Sequence, residues 1–475
     1  MKIKVIDILE FLHSERFINF VRDDFSDDFL QSEITGSQTY SGQIQKDNFF
    51  VAIKGDKVDG HDYLEKAFNN GAVFSFVEFI PESLSNENKK KCIKVFNVMR
   101  AYQLVAKYCM KFFTGQKIAL TGSAGKTTVK DWVLYTLSLY DKTYATEGNR
   151  NSGYGLPWTI IKNALTDDWQ NYKYGVFEMS MSGKLEISDL CGVVLPQIGL
   201  VNNIYPMHLE NFPETGLPGI AAAKAEIFNN VDVAIYNADT NCADVLLDKI
   251  TGDFINFGKK SDVIKLISFD ENTVNLVVNN KPVSYKIGAG NTEITVYNSM
   301  AVLSVIYVLG LPLEPAIQNM KNLFFDVGRG QKFDVNFCEK KLTLVDHSYS
   351  GQPDSVLFAI KEFSDMKENN RRKVFIFGNM SEIGDTIEQE HLRVAESVKN
   401  SDIDILYGVN AHAKIVVDEI QKIGRKAEFF ENVDSFLQQI SDKFQDGDLI
   451  LVKGSHFSSS VFKIVEYLKS FDKKH

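Results

Sequence analysis

The sequence predicts an α/β protein of three domains: a small α/β N-terminal domain, a central phosphate-loop domain built on a mainly parallel sheet, and a C-terminal doubly wound, Rossmann-like domain. Three observations carry this expectation. The chain has 475 residues, too many for one ordinary core and close to the length of three domains. Short apolar runs alternate with helical patterns along most of it, as in sheets covered on both faces by helices. Near its first quarter, a glycine-rich turn ending in Gly-Lys-Thr-Thr separates an apolar run from an amphipathic one.

The elements follow in order. Over residues 1–95, "NFFVAIKG" and "AVFSFVEF" read as strands and "DYLEKAFNNGA" as a helix stopped by glycine. After the polar stretch "PESLSNENKKK", the run "NVMRAYQLVAKYCMKFF" is an apolar-faced helix. Residues 96–327 continue in strand–helix alternation through "KIALT", "YKYGVFEMS", "PQIGLVNNI", "VDVAIYNAD" and the apolar "YNSMAVLSVIYVLGL". The segment "FDVGRGQKFD" has the polar, glycine-containing character of a linker. Residues 328–475 then hold four further strands, "KLTLVDHSYS", "KVFIFGNM", "DIDILYGV" and "DLILVKGS", separated by helices.

Composition narrows the function. Net charge is −10, and the basic clusters "NKKK" and "NNRRK" are too short for a nucleic-acid surface. No apolar run is long enough to span a bilayer, and the charged N-terminal segment "MKIKVIDILEFLHSERF" is not a signal peptide. Five scattered cysteines fit a reducing compartment and neither a disulfide framework nor a zinc site. The expectation is a cytoplasmic protein that neither inserts into a membrane nor binds nucleic acid.

The turn itself is Gly122-Ser123-Ala124-Gly125-Lys126-Thr127-Thr128. Leu120 stands where the full-length phosphate-loop pattern has its first glycine, so this is a shortened variant. The chemistry is intact: glycines let backbone N–H groups turn inward, and the helix N-terminus adds partial positive charge. Lys126 would reach the β- and γ-phosphates of a nucleotide, and Thr127 or Thr128 would offer a hydroxyl to Mg²⁺. Val129, Trp132, Val133, Leu137 and Tyr140 supply the apolar face of the helix behind it.

Three other residues follow strands or sit oddly on a helix. Glu178 ends "YGVFE", where a carboxylate suits Mg²⁺ but equally suits solvent. His208 in "NNIYPMHLENF" is a metal-ligand candidate, with plain hydrogen bonding as the alternative. Lys224 lies among small residues in "GIAAAKAEIFNN", where an ammonium must find a partner or reach solvent.

In this order, a Thr-Gly-x-x-Gly-Lys-Thr-Thr loop, a strand-end Glu, an Asn-Ile-x-x-x-His-Leu segment and an Ala-Lys-x-Glu-Ile-Phe helix, the chain resembles the Mur ligase family, and within it the MurF type. "TEGNRNSGYGLP", "EMSMSGKLEI", "VDHSYSGQPDS", "FGNMSEIGDTIEQEH" and "LVKGSH" extend the likeness, as does "NFFVAIKGDKVDGHDYLEKAFNNGA" near the start. The resemblance implies an ATP-dependent, ADP-forming ligase that makes an amide bond through an acyl phosphate. The implied reaction joins D-Ala-D-Ala to a UDP-N-acetylmuramoyl tripeptide in peptidoglycan precursor synthesis. A different acid and amine, or a non-catalytic nucleotide-binding relative, are the alternatives.

The resemblance also assigns roles. Residues 1–95 would bind the acid substrate, 96–327 ATP, and 328–475 the amine. Lys126, Lys224, His208 and Glu178 would be catalytic, with Thr127 and Glu178 at one Mg²⁺, and His208 and a carbamylated Lys224 at a second. Asn298, Arg329 and Asp346 would join the loop in binding ATP, Arg329 when the C-terminal domain closes. Ser41, Asn149, Asn151, Tyr349 and Lys453 would face the small-molecule acid and amine, in a monomer.

Several positions depart from the family pattern. Tyr40, Ser41 and Gly42 replace an Asp-Ser-Arg or Asp-Thr-Arg triplet, removing a bidentate guanidinium. His347 and Asn379 each stand for an Asp, Ser350-Gly351-Gln352 for Asn-Ala-Asn, His456 for an Arg, and Ser152 for an Asn.

Overall fold

The computed structural model of the protein describes residues 2–55, 58–207, 209–366, 368, 371–380, 386–456 and 458–472. It is a mixed α/β chain that separates into two compact units: residues 1–285 with 292–320, and residues 286–291 with 321–475. Among the described residues no helix is long and apolar enough to cross a membrane.

The first unit holds two main sheets. The smaller has four parallel strands in chain order: β1 (Gly36–Gln38), β2 (Asn48–Val51), β3 (Ser75–Val77) and β4 (Cys92–Lys94). Its inward face is aromatic, with Phe49 stacked on Phe74 at 4.9 Å and edge-on to Phe76 and Tyr102. Tyr102 comes from helix α1 (Val98–Met110), capped by Asn97, and its hydroxyl meets Ser37 Oγ at 2.7 Å. Burial raises the Tyr102 phenol well above its ordinary pKa. One apolar core runs from this sheet through α1 into the larger sheet, which explains why the predicted first and second domains fall in one compact unit.

The larger sheet has nine strands: β5 (Gln116–Thr121), β6 (Thr143–Ala145), β7 (Tyr174–Glu178), β8 (Ile198–Val201), β9 (Val233–Asn237), β10 (Asp253–Gly258), β11 (Ile264–Phe269), β12 (Val274–Val278) and β13 (Lys281–Tyr285). Their spatial order is β13-β12-β11-β10-β9-β8-β5-β7-β6. Every pair from β6 to β11 is parallel, and β11 to β13 form an antiparallel meander at the edge. β5 is thus central, between β7 and β8, with Leu120 opposite Glu178 and Thr121 opposite Val201. The carboxyl ends of these three strands meet at the phosphate loop, where open parallel sheets bind ligands.

The second unit carries one six-stranded sheet: β14 (Gln331–Phe337), β15 (Lys340–His347), β16 (Lys373–Phe377), β17 (Ile405–Val409), β18 (Lys426–Phe430) and β19 (Leu449–Lys453), in the order β14-β15-β19-β16-β17-β18. Only the β14–β15 pair is antiparallel. Separate apolar clusters cover the two faces, as a doubly wound sheet requires. The segment expected to be a linker ends sooner than its composition suggests. Its tail, Gln331–Asp334, already belongs to β14, because alternation of inward and outward residues begins at Gln331 on this edge strand.

A buried fork holds the start of β16 to the start of β19. Arg372 Nε donates to Asp448 Oδ1 at 2.9 Å and its Nη2 to Oδ2 at 2.5 Å, while Asp448 is 1 % exposed. The carboxylate hydrogen bonds raise the Arg372 pKa further. Arg372→Ala leaves that carboxylate buried without its cation and is expected to destabilise the second unit by about 3 kcal/mol, measured by denaturant unfolding of the full chain. Asp448→Asn, which keeps neutral hydrogen bonding, is expected to cost less.

Candidate phosphate and metal site

The site begins with one glycine. Gly125 caps helix α2 (Lys126–Leu137) with φ +72°, in the left-handed region, and a Cβ there would lie 3.0 Å from Asn298 Oδ1. Both the turn and the closeness of Asn298 therefore require glycine. The first intrahelical bond runs from Val129 N to Gly125 O, so the earliest amides of α2 face the loop, as at any helix start.

The loop is braced from β8. Ser123 N donates to Asn203 O at 2.9 Å and Ala124 N to Asn203 Oδ1 at 2.8 Å, while Asn203 Nδ2 returns a bond to Ala124 O. Tyr205 N donates to Ser123 Oγ. Asn202 Nδ2 donates to Asn298 Oδ1 at 2.8 Å. The amides of Ser123 and Ala124 are thus spent on Asn203, and the inward-facing donors are those of the α2 start. Lys126 Nζ bridges the carbonyls of Gly122 (2.9 Å) and Ser123 (3.2 Å), which places an ammonium at the loop itself. Sequence reasoning misses Asn202 and Asn203, because "VNNI" by itself only marks the end of a strand.

Glu178 is 1 % exposed at the end of β7. Its Oε1 accepts from Thr127 Oγ1 at 3.1 Å and from Asn151 Nδ2 at 2.6 Å, and its amide donates to Thr146 Oγ1. Oε2 is buried with no hydrogen-bond partner. A buried carboxylate oxygen without a donor is costly, and a hard cation ligated by oxygen would satisfy it. The Thr127 hydroxyl and Glu178 therefore fit Mg²⁺ beside the phosphate loop.

Asn151 is held in turn by Ser180, whose Oγ donates to its Oδ1 at 2.8 Å. Asn149 is exposed, and its carbonyl accepts from Asn151 N. Ser152 Oγ accepts from Gly155 N at the start of the next helix. Asn298 is 1 % exposed and its Nδ2 has no partner, a second unsatisfied group against the loop.

Lys224 lies 2 % exposed on helix α3 (Gly216–Ala225). Two residues on, Glu226 accepts from the amides of Leu185 and Ser188, tying α3 to the start of the helix Glu186–Val194. Glu186 accepts from Ser182 N and Gly183 N. His208 lies outside the described residues. Among the described residues, no group of three His, Cys, Asp or Glu side chains could hold a metal. Ser41, in the first unit, is 2 % exposed; its carbonyl accepts from Asn70, and its Oγ has no partner.

The other candidates belong to the second unit. Gly328 has φ +76° and a Cβ there would sit 2.9 Å from Tyr349 N; with Gly330 N bonded to Asp346 O, it pins the segment carrying Arg329 to the end of β15. The Arg329 guanidinium lies 4.2 Å from the Tyr349 ring centre. His456 stacks between Tyr349 (5.9 Å) and Phe462 (4.2 Å). Gly351 has no room for a side chain, since a Cβ would fall 2.5 Å from Ser455 Cβ. His347 Nε2 lies 3.4 Å from Glu362, and Asn379 Oδ1 accepts from His412 N. Asp346 Oδ1 accepts from Ser348, leaving Oδ2 buried without a partner.

Lys453 ends β19, opposite His347, and is 1 % exposed. Its Nζ donates to Ser350 O and Ser355 Oγ, both at 2.7 Å. Burial, reinforced by the Arg329 charge and opposed by Glu362 and Asp346, pulls its ammonium down to about 7.

A nucleotide-phosphate loop at the centre of a parallel sheet, with a buried carboxylate beside it and a second, doubly wound unit in the same chain, defines a phosphate-loop α/β protein of more than one domain. Family models narrow this. The Mur ligase middle domain matches residues 120–306, and the Mur ligase glutamate ligase domain matches residues 328–456. The chain is 30% identical over 443 residues to the UDP-N-acetylmuramoyl-tripeptide–D-alanyl-D-alanine ligase of Rickettsia prowazekii, covering 90% of this chain and 94% of that one. The fold matches a crystal structure of MurF from Acinetobacter baumannii (TM-score 0.75, 21% identity, 99% of each chain). It also matches MurF ligase from Thermotoga maritima in complex with ADP (TM-score 0.69, 21% identity, 95% of this chain and 100% of that one). The chain belongs to the Mur ligase family.

Because the Lys453 pKa falls from its unfolded value near 10.5 to about 7, the unfolded chain binds the extra proton between those limits. Stability is therefore expected to rise with pH from about 7 toward 10, and to be lost again as pH falls back across that window. Lys453→Met should flatten that slope, whatever it does to absolute stability. Denaturant unfolding at about pH 6.5, 8 and 9.5 measures it; equal slopes for both proteins would refute the assignment.

Proposed function

We propose that the chain is an ATP-dependent, ADP-forming ligase of the MurF type, joining D-alanyl-D-alanine to a UDP-N-acetylmuramoyl tripeptide in peptidoglycan precursor synthesis. The observation that carries this is the Glu178 carboxylate, buried between Thr127 and Asn151 at the carboxyl end of the sheet beside Lys126. Support for ATP as the phosphoryl donor comes from the loop and from the ADP complex of the Thermotoga maritima MurF ligase.

In this function a carboxylate of the acid substrate attacks the γ-phosphorus of ATP. A new oxygen–phosphorus bond forms as the bond to the ADP oxygen breaks. The amine then adds to the acyl carbon, a proton leaves the nitrogen, and phosphate departs with its oxygen. Both reactants in the first step are anions, so the site must gather positive charge. Lys126 would exchange the carbonyls of Gly122 and Ser123 for phosphate oxygens, and the α2 amides would hold the β-phosphate side. Thr127 and Glu178 would hold Mg²⁺, which neutralises developing charge on the phosphoryl group when bound.

Lys224 would carry a carbamate and serve a second Mg²⁺ together with His208. That modification would turn the buried lysine into a metal-binding anion. Residues 1–95 would bind the acid substrate through groups including Ser41, with Asn149 and Asn151 adjoining. Residues 96–327 would bind ATP, Asn298 among them. Residues 328–475 would bring the amine, with Tyr349 and Lys453 at that end of the sheet and Arg329 and Asp346 directed to ATP. A cytoplasmic monomer acting on small molecules fits these assignments.

Phosphate release by the purified protein, given ATP, Mg²⁺, UDP-muramoyl tripeptide and D-Ala-D-Ala, should require both the acid and the amine. Lys126→Ala is expected to lower turnover by about 100-fold or more, and Glu178→Gln by about 10- to 100-fold. Release with another acid–amine pair alone would overturn the substrate assignment. Unchanged turnover in Lys126→Ala would overturn the mechanism.

A further inference from the structure

One buried cation in the first unit plays no part in the chemistry above. Lys130 is 2 % exposed on α2, one turn beyond Lys126 and Thr127. Its Nζ donates to Thr146 O at 2.9 Å and to Gly148 O at 3.1 Å, and lies 2.9 Å from Asp131 Oδ1. Burying an ammonium is costly, and here its donors are spent on one carboxylate and on the carbonyls of a single loop. That loop follows β6, turns at Gly148 with φ +56° and carries Asn151 before the next helix begins at Gly155.

The same loop holds Glu178 from both sides. Thr146 Oγ1 takes the Glu178 amide at 3.1 Å, and Asn151 Nδ2 donates to the carboxylate at 2.6 Å. The third contact, Thr127 Oγ1, comes from the helix that carries Lys130. Helix, loop and strand end thus form a closed circuit in which the carboxylate is fixed with Oε1 saturated and Oε2 bare. We infer that Lys130 is a positioning residue: by clamping the Thr146 and Gly148 carbonyls to α2, it sets the orientation in which Glu178 presents its bare oxygen to a divalent cation beside the phosphate loop. Outer contacts of this kind tune metal affinity without touching the metal.

The inference rests on the proposed function in taking Glu178 as a Mg²⁺ ligand and ATP as the nucleotide beside it. Two measurements on the full-length protein test it. Without any ligand, amide hydrogen exchange over residues 146–151 should quicken in Lys130→Met, with the central strands unchanged. With a non-hydrolysable ATP analogue, the Mg²⁺ concentration for half-maximal binding should rise about tenfold. Lys130→Arg, which keeps the donors, should recover part of that shift. Because Lys130 acts through the loop, Lys130→Met combined with Asn151→Ala should shift the Mg²⁺ requirement no further than the larger single change. A folded Lys130→Met protein with unaltered exchange or Mg²⁺ requirement overturns the inference, and so does a fully additive double variant. If Lys130→Met does not fold, Thr146→Val removes the loop's hold on the Glu178 amide and should raise the Mg²⁺ requirement in the same way; no change there is equally fatal. Failure of the proposed reaction shows separately, as absent phosphate release with intact Mg²⁺-dependent nucleotide binding.

Discussion

A carboxylate removed from water and left with one unsatisfied oxygen is the constraint around which the first unit is organised. Thr127 and Asn151 offset the cost of burying the Glu178 carboxylate, and the Thr146 hydroxyl accepts its backbone amide. Those partners come from one helix and from the loop that follows β6. The parallel order of β8, β5 and β7 is what brings their carboxyl ends together. Removing the carboxylate's neighbours would leave it buried with no hydrogen-bond donor. Retaining them leaves one buried carboxylate oxygen bare beside the glycine-rich loop.

The loop depends on the same economy of polar groups. Asn203 uses its backbone carbonyl and side chain to saturate Ser123 and Ala124, so the loop's shape is fixed by the protein and not by what it binds. Asn298 presses on Gly125 from the other side and explains why no side chain is tolerated there. Preorganisation of this kind costs nothing at the moment of reaction, which is where electrostatic stabilisation of phosphoryl transfer gains most. In the second unit, Arg329, Tyr349, His456 and Phe462 stack face to face, and the His456 amide donates to the Tyr349 carbonyl at 3.0 Å, which preorganises a guanidinium. The His456 departure from the family pattern is structurally coherent for that reason: a flat ring fits between two others.

Much of this is legible in the sequence. The strand, Gly-Lys-Thr-Thr turn and helix over residues 117–137 appear where expected, with Tyr140 falling just past the helix end, because hydrophobic period and turn glycines are local signals. Glu178 and Lys224 stand out as chemistry-bearing residues in suggestive places, and the family resemblance carries most of the chain. The linker around Arg329 is shorter than its composition suggests, since the Gly-Arg-Gly turn masks the alternation that begins at Gln331. The edge meander from Ile264 to Tyr285 is also hard to read from sequence, its exposed faces being polar enough to look like loop.

By itself the sequence determined most strands and helices of the parallel sheets, the glycine-rich turn expected to hold phosphate, and the family of ligases to which the motifs point. All of these are set by neighbours within a few residues. Only the tertiary structure decided that Asn202 and Asn203 brace the loop, that Asn151 and Thr127 share one oxygen of Glu178, and that the lysines at 130 and 453 are buried against carbonyls. Those facts depend on contacts between residues tens of positions apart, and whether a charge is solvated or enclosed is a property of the packed chain that no local pattern encodes.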